Sequence, residues 1–204
     1  MSASASTFTL DTQHTALLIM DYQTGIVSSV EARYPHLLNR AAAVLAAARA
    51  ATVPVIYVVV RFRDGYPEVS PRNRAFSGIR ASGRMLEGTP GAEIHPRVAP
   101  LPGEPVVVKR RVGAFSTTDL ATLLRARDAT TLVLLGIATS GVVLSTVRWA
   151  ADMDYELVVV EDCCADGDDE VHRVLTQKVF PRQASVAQSG DVIGALRPAD
   201  QARA

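Results

Sequence analysis

The chain has 204 residues, 48% of them apolar, which is enough to bury a substantial core and too apolar for intrinsic disorder. Lys plus Arg and Asp plus Glu balance at 21 each, so no basic face for a phosphate backbone is expected. No run reaches the roughly 18 apolar residues of a membrane span, so neither a nucleic acid nor a membrane is an expected partner.

The N-terminal stretch MSASASTFTLDTQHT lacks the basic and apolar regions of a secretory signal. The first apolar run, TALLIMD (15–21), reads as a strand. HLLNRAAAVLAAARAA (36–51) is Ala- and Leu-rich and reads as a helix, and Pro54 after it marks the start of a second strand, VPVIYVVVRF (53–62). Residues 63–104 break the rhythm with many Gly and Pro and little periodicity. An insertion of that length in a compact domain is a functional cover, an oligomer contact, or both.

The third strand is PVVVKR (105–110). TTDLATLLRARD (117–128) follows as a helix, with Ser116-x-x-Asp119 resembling a capping box. TTLVLLGI (130–137) is the fourth strand, and a helix capped by Thr139 or Ser140 runs on to Asp152. YELVVVED (155–162) is the fifth strand, DDEVHRVLTQKVF (168–180) a helix with an acidic first turn, and QASVAQS (183–189) a weaker sixth strand. The strands are β-branched and nearly continuous, as strands covered on both faces are. Their alternation with helices predicts one three-layer α/β/α domain over 1–204, doubly wound on a parallel sheet with right-handed crossovers.

Cys163 and Cys164 are the only cysteines and are adjacent, with Cα atoms about 3.8 Å apart. That is closer than a disulfide prefers, and a reducing cytoplasm is the plain expectation. His14, His36, His95 and His172 are dispersed without ligand spacing, so no metal and no other cofactor is expected. His172 lies in a polar stretch of helix and reads as a surface residue.

Open parallel sheets bind ligands outside the carboxyl ends of their strands. That rule selects Asp21 after the first strand, Lys109 at the end of the third, and the turn 138–142 after the fourth. An acid and an amine in one sheltered cleft keep each other charged and exchange protons with a substrate. The helix after the turn aims N–H groups at the same space. Taken singly, Asp21 is also compatible with a turn or cap, and Lys109 with a solvated strand end. Arg61 and Arg63 suit a substrate carboxylate or an ordinary surface. Tyr66, Phe76 and Trp149 suit a pocket wall or packing.

Three motifs in order, ALLIMDYQ, VVVKRRVGAFSTTDL and LLGIATSGVVLSTVRWAADMDYELVVVEDCCAD, resemble the isochorismatase-like hydrolase superfamily, also called the cysteine hydrolases. The resemblance runs over about residues 13–190 and implies a six-stranded parallel sheet, a homodimer or homotetramer, and a small-molecule substrate. It implies that Asp21 is the acid/base and that Lys109 holds its carboxylate and orients the substrate. Gln23 and the aromatic Phe115 would line the site, beside Ala138, Thr139, Gly141 and Val142 of the turn; Arg61, from its position after the second strand, is a further candidate substrate contact.

The departure is at the nucleophile. The superfamily's amidases read G-x-x-T-x-x-C, and counting from Gly136 places Val142 where the thiol belongs. Valine has no lone pair and forms no acyl-enzyme. Ser140 reads as a helix cap and Ser145 as helix packing, with no histidine in the motif to serve either as base. Cys163 and Cys164 read as buried and inert, against a substitute-thiol role. The isochorismatase branch also lacks this cysteine: there an Asp protonates a vinyl-ether carbon and water adds, although its bulkier turn differs from GIATS here. The expectation is a hydrolase of a small polar metabolite, working by Asp21 acid/base chemistry without a covalent thiol intermediate. The competing expectation is a silent binding or scaffold protein.

Overall fold

A computed structural model describes residues 9–196. β1 (Thr15–Met20), β2 (Val55–Val60), β3 (Val106–Lys109), β4 (Thr131–Ile137), β5 (Glu156–Ala165) and β6 (Ser185–Ala187) form one sheet in the order β3-β2-β1-β4-β5-β6. Every neighbouring pair is parallel. β1, β2 and β4 are buried along their whole length, which is why their sequences are continuous apolar runs rather than alternating ones.

The helices are α1 (Thr24–Val27), α2 (Leu37–Ala50), α3 (Arg74–Ala81), α4 (Leu120–Arg125), α5 (Leu144–Asp152), α6 (Asp169–Val174) and α7 (Ser189–Ala195). The pleat of β1 divides the core: Leu17 and Ile19 pack with Ala41, Val44 and Leu45 of α2 and Val192 of α7. Ala16, Leu18 and Met20 pack with Leu120 and Leu124 of α4 and Val147 of α5 on the opposite face. The chain winds outward from β1 to β3, then returns to place β4 beside β1, with Met20 in register with Gly136. That reversal is the switch point at which such sheets bind ligands.

Several boundaries differ from the sequence expectation. The helix expected over 117–128 is only Leu120–Arg125, because Thr117 takes a left-handed φ of +63° and the Thr118 hydroxyl accepts the Leu120 N–H at 3.4 Å. Ser116 does not cap it. β5 runs on through a register shift to Ala165 and takes in both cysteines, which the sequence placed after the strand. The helix expected to 180 is α only to Val174, then a wide π turn over Leu175–Val179.

Residues 63–104 have a small core of their own. Tyr66, Val69, Phe76 and Met85 pack on Val60 and Phe62 at the end of β2. Arg110 fastens this insertion to β3 through Glu68, Glu87 and the Arg61 carbonyl, so the Arg110–Arg111 pair is a structural anchor.

Gly136 is required by close packing. A Cβ there would lie 2.8 Å from Val143 Cγ2 and 3.3 Å from Met20 Cβ. Gly136→Ala is expected to cost about 1–3 kcal/mol by overpacking, read as a lower urea midpoint with an unchanged slope.

Candidate active site

Asp21 directly follows β1, with a left-handed φ of +58° and its N–H bonded to the Val58 carbonyl at 2.8 Å. Asp is among the residues that tolerate this region. Lys109 ends β3, in register with Val60 of β2, and its side chain crosses the end of β2 to reach Asp21. Nζ lies 2.8 Å from Asp21 Oδ2, and the two side chains are only 3% and 6% exposed. Nζ also donates to the Arg111 carbonyl at 3.2 Å. Among the described residues, Asp21 Oδ1 is buried without a hydrogen-bond partner. Burial pushes the Asp21 carboxyl above its ordinary value, and the Lys109 ammonium opposes that rise.

Beyond β4 the Ile137–Ala138 peptide is cis, and Thr139–Val143 form a wide π turn leading into α5. The N–H groups of Gly141 and Val143 donate to the Ala138 carbonyl at 3.0 and 3.3 Å. The Ser140 N–H donates to Asp166 Oδ2 at 2.7 Å, so a remote carboxylate supports the turn where the sequence suggested the Ser140 side chain as cap. Among the described residues no acceptor is found for the Ala138 N–H.

Asp21, Lys109, Ala138, Gly141 and Val142 line one cavity of about 370 Å³. Its remaining wall includes Ile26 and Val30 after β1, Phe76 and Ile79 of α3, and Val112 after β3. The sequence reading missed Ile26, Val30, Ile79 and Val112, which lie in segments without periodicity and gave no signal beyond apolarity.

Other expected site residues lie elsewhere. The Gln23 amide is fully used: Oε1 accepts the Val60 N–H at 2.9 Å, and Nε2 donates to the Val60 and Ala92 carbonyls at 2.8 and 2.7 Å. It ties β2 to the insertion and does not line the cavity. Arg61 is held by the Ala92 carbonyl at 3.1 Å and Glu93 at 2.8 Å, and it does not line the cavity. Phe115 is buried and stacks on Trp149, with ring centroids 6.4 Å apart. Trp149 itself is half exposed, and Tyr66 packs under the insertion.

Thr139 is buried with Oγ1 2.8 Å from His172 Nδ1. His172 is therefore not the surface residue the sequence suggested. It is half-buried edge-on against Tyr34, and burial lowers its pKa. Cys163 and Cys164 are buried and do not line the cavity. Burial pushes both thiols up, Cys164 to about 12, the opposite of a reactive thiolate.

Among the described residues, no group of three or more His, Cys, Asp or Glu side chains is placed to hold a metal, and no helix is long and apolar enough to cross a membrane.

Gln23→Leu leaves the Val60 N–H without its acceptor and removes the amide donor from the Val60 and Ala92 carbonyls, of which Ala92 keeps Arg61 Nε. It is expected to cost about 2–4 kcal/mol and to speed amide exchange in the insertion, read by urea unfolding and hydrogen exchange.

A profile of the isochorismatase domain matches residues 15–191. The chain is 34% identical to the uncharacterized isochorismatase family protein YwoC of Bacillus subtilis, over 87% of this chain and 91% of that protein. It is 33% identical to the ureidoacrylate amidohydrolase RutB of an Enterobacter species, over 79% and 80%. A cysteine hydrolase from Pseudomonas syringae pv. phaseolicola superposes with a TM-score of 0.85 at 23% identity, covering 96% of this chain and 98% of that one, and shares the fold.

Proposed function

The chain belongs to the isochorismatase family, and on that premise we propose that it hydrolyses a small molecule in the Asp21–Lys109 cavity by proton transfer and direct water attack. No covalent thiol intermediate is involved. The position that matches the family amidases' nucleophile is Val142, buried in the cavity wall. Both cysteines lie elsewhere with raised pKa values.

The unpartnered Oδ1 of Asp21, in a carboxylate whose other oxygen is held by Lys109, carries this reading. Oδ1 takes a proton from water as the water oxygen attacks the substrate's electrophilic carbon. The same proton then passes from Asp21 to the leaving group as its bond breaks. A carboxyl raised by burial is better matched to this exchange near neutral pH than an ordinary one. Lys109 holds the carboxylate in place, and the Ala138 N–H is a donor for the oxygen on which negative charge develops. The amidohydrolase name of one relative fits hydrolysis at such a centre.

The test is a panel of small amides, esters and enol ethers, with intact-protein mass recorded during turnover. Turnover without any mass adduct is expected, and Cys163→Ala and Cys164→Ala are each expected to retain it. An acyl adduct on the protein, or turnover lost with either cysteine, overturns the reading. The buried Val142 also favours a second reading, a protein that binds the same ligands without converting them; binding with no turnover across the panel is its signature.

A further inference from the structure

The sequence suggests a polar metabolite, but the cavity is built otherwise. Its charged lining groups are Asp21 and Lys109, which bind each other at 2.8 Å. The arginines at the ends of β2 and β3 have their own partners: Arg61 on Glu93, Arg63 on Glu68, Arg110 on Glu68 and Glu87, and Arg111 on the Glu68 carbonyl. Arg72, Arg74, Arg80 and Arg84, in and around α3, are exposed at the surface. None of these lines the cavity, and among the described residues Ser29 is its only uncharged polar side chain. Phe76 and Ile79 of α3 face it together with Ile26, Val30 and Val112, and Val142 adds an isopropyl group at the crest of the turn.

We infer that this site takes an uncharged molecule with an apolar body, a ring or a branched chain, carrying one polar reactive group, and that it rejects carboxylates. The inference rests on the cavity assigned above as the reaction site. A substrate carboxylate entering it loses its hydration, finds the one lining ammonium already paired, and meets an Asp21 oxygen that has no proton donor of its own. A neutral ring gains contact with the apolar wall instead. A volume of about 370 Å³ lies near the lower end for ligand sites and suits one ring with short substituents.

Two of the wall residues, Phe76 and Ile79, come from the insertion that Gln23, Arg61 and Arg110 fasten to the sheet. This makes α3 the element that sets substrate shape.

The test uses acetophenone and 4-acetylbenzoate, which share a ring and a carbonyl, differ by one carboxylate, and are not hydrolysable. Each is titrated into the full chain by calorimetry. Acetophenone is expected to bind at least about 30-fold more tightly. In Asp21→Asn, which leaves Lys109 unpaired, 4-acetylbenzoate is expected to gain about 10-fold while acetophenone changes little. Equal or tighter binding of the carboxylate by wild type, no binding of acetophenone at millimolar concentration, or an unchanged ratio in Asp21→Asn each overturns the inference. The probes are inert, so the two proposals fail separately. Binding of acetophenone without turnover of any panel compound refutes the reaction alone. Equal turnover of carboxylated and neutral substrates refutes the substrate class alone.

Discussion

Asp21→Asn is expected to lower turnover about a thousandfold, within the range a positioned acid/base contributes, with little change in the KM of a neutral substrate. The amide keeps the size and shape of the carboxyl but cannot take and return a proton, and it leaves Lys109 without its counter-ion. A pH–rate profile separates this from simple disruption. With Asp21 acting first as base, wild-type turnover rises with pH through the raised carboxyl pKa, and the residual activity of Asp21→Asn is flat over the same interval. Wild-type-like activity in Asp21→Asn, or the same pH profile in both, would remove the carboxylate from the mechanism.

The same group ties stability to pH. The folded-state pKa of Asp21 stands above 3.8, so its stabilising contribution is complete below that value and is lost as pH rises through the raised pKa. Asp21→Asn lacks that slope, which is measurable as the difference between the two unfolding free energies across the acid range.

Lys109→Met is expected to have the largest effect on stability, about 3–5 kcal/mol at neutral pH, as for other buried pairs that lose one partner. Methionine approximates the lysine stem, so packing is largely kept. What remains is a carboxylate at 6% exposure with no counter-ion. The loss shrinks as the solution is acidified, because protonated Asp21 needs no cation. The double variant Asp21→Asn/Lys109→Met recovers most of the lost stability, since both charges are then gone. Chemical denaturation of the four proteins at neutral and acid pH measures the cycle. Equal destabilisation at both pH values would show that packing, not charge, is what Lys109 contributes.

These expectations meet in the same few side chains, and the two roles of Lys109 are distinguishable. It stabilises the fold only while Asp21 is ionised, and that is also the state in which Asp21 accepts a proton. A Lys109→Met protein about as stable as wild type at acid pH, and much less stable at neutral pH where Asp21 is ionised, is the expected result.

The architecture was legible because its signals are local. TALLIMD, VIYVVV and TTLVLLGI are continuous apolar runs, and a strand covered on both faces has no solvent side to make it alternate. Asp21, Lys109 and the GIATSGVV turn were legible as candidates because each closes a strand, and parallel topology gathers strand ends on one edge of the sheet. Gln23, Arg61, Phe115 and Thr139, expected at the site, do not line the cavity that holds Asp21 and Lys109. Sequence position put them near the site, but the direction of each side chain depends on partners far along the chain: Ala92 for Gln23, Glu93 for Arg61, Trp149 for Phe115 and His172 for Thr139. The support that Asp166 gives the Ser140 N–H was invisible for the same reason.

What the sequence by itself determined was the order of strands and helices, the edge of the sheet that carries polar strand ends, and the valine at the crest of the turn. Only the tertiary structure decided that the Asp21 and Lys109 side chains meet at 2.8 Å while one carboxylate oxygen stays without a partner. It also decided that Arg61, Arg63 and Arg110 turn to acids of the insertion, and that α3 adds apolar wall to the cavity. Periodicity is a property of a few consecutive residues and is written in the chain. A cavity's charge is set by which distant groups neutralise one another, and only folding brings those groups together.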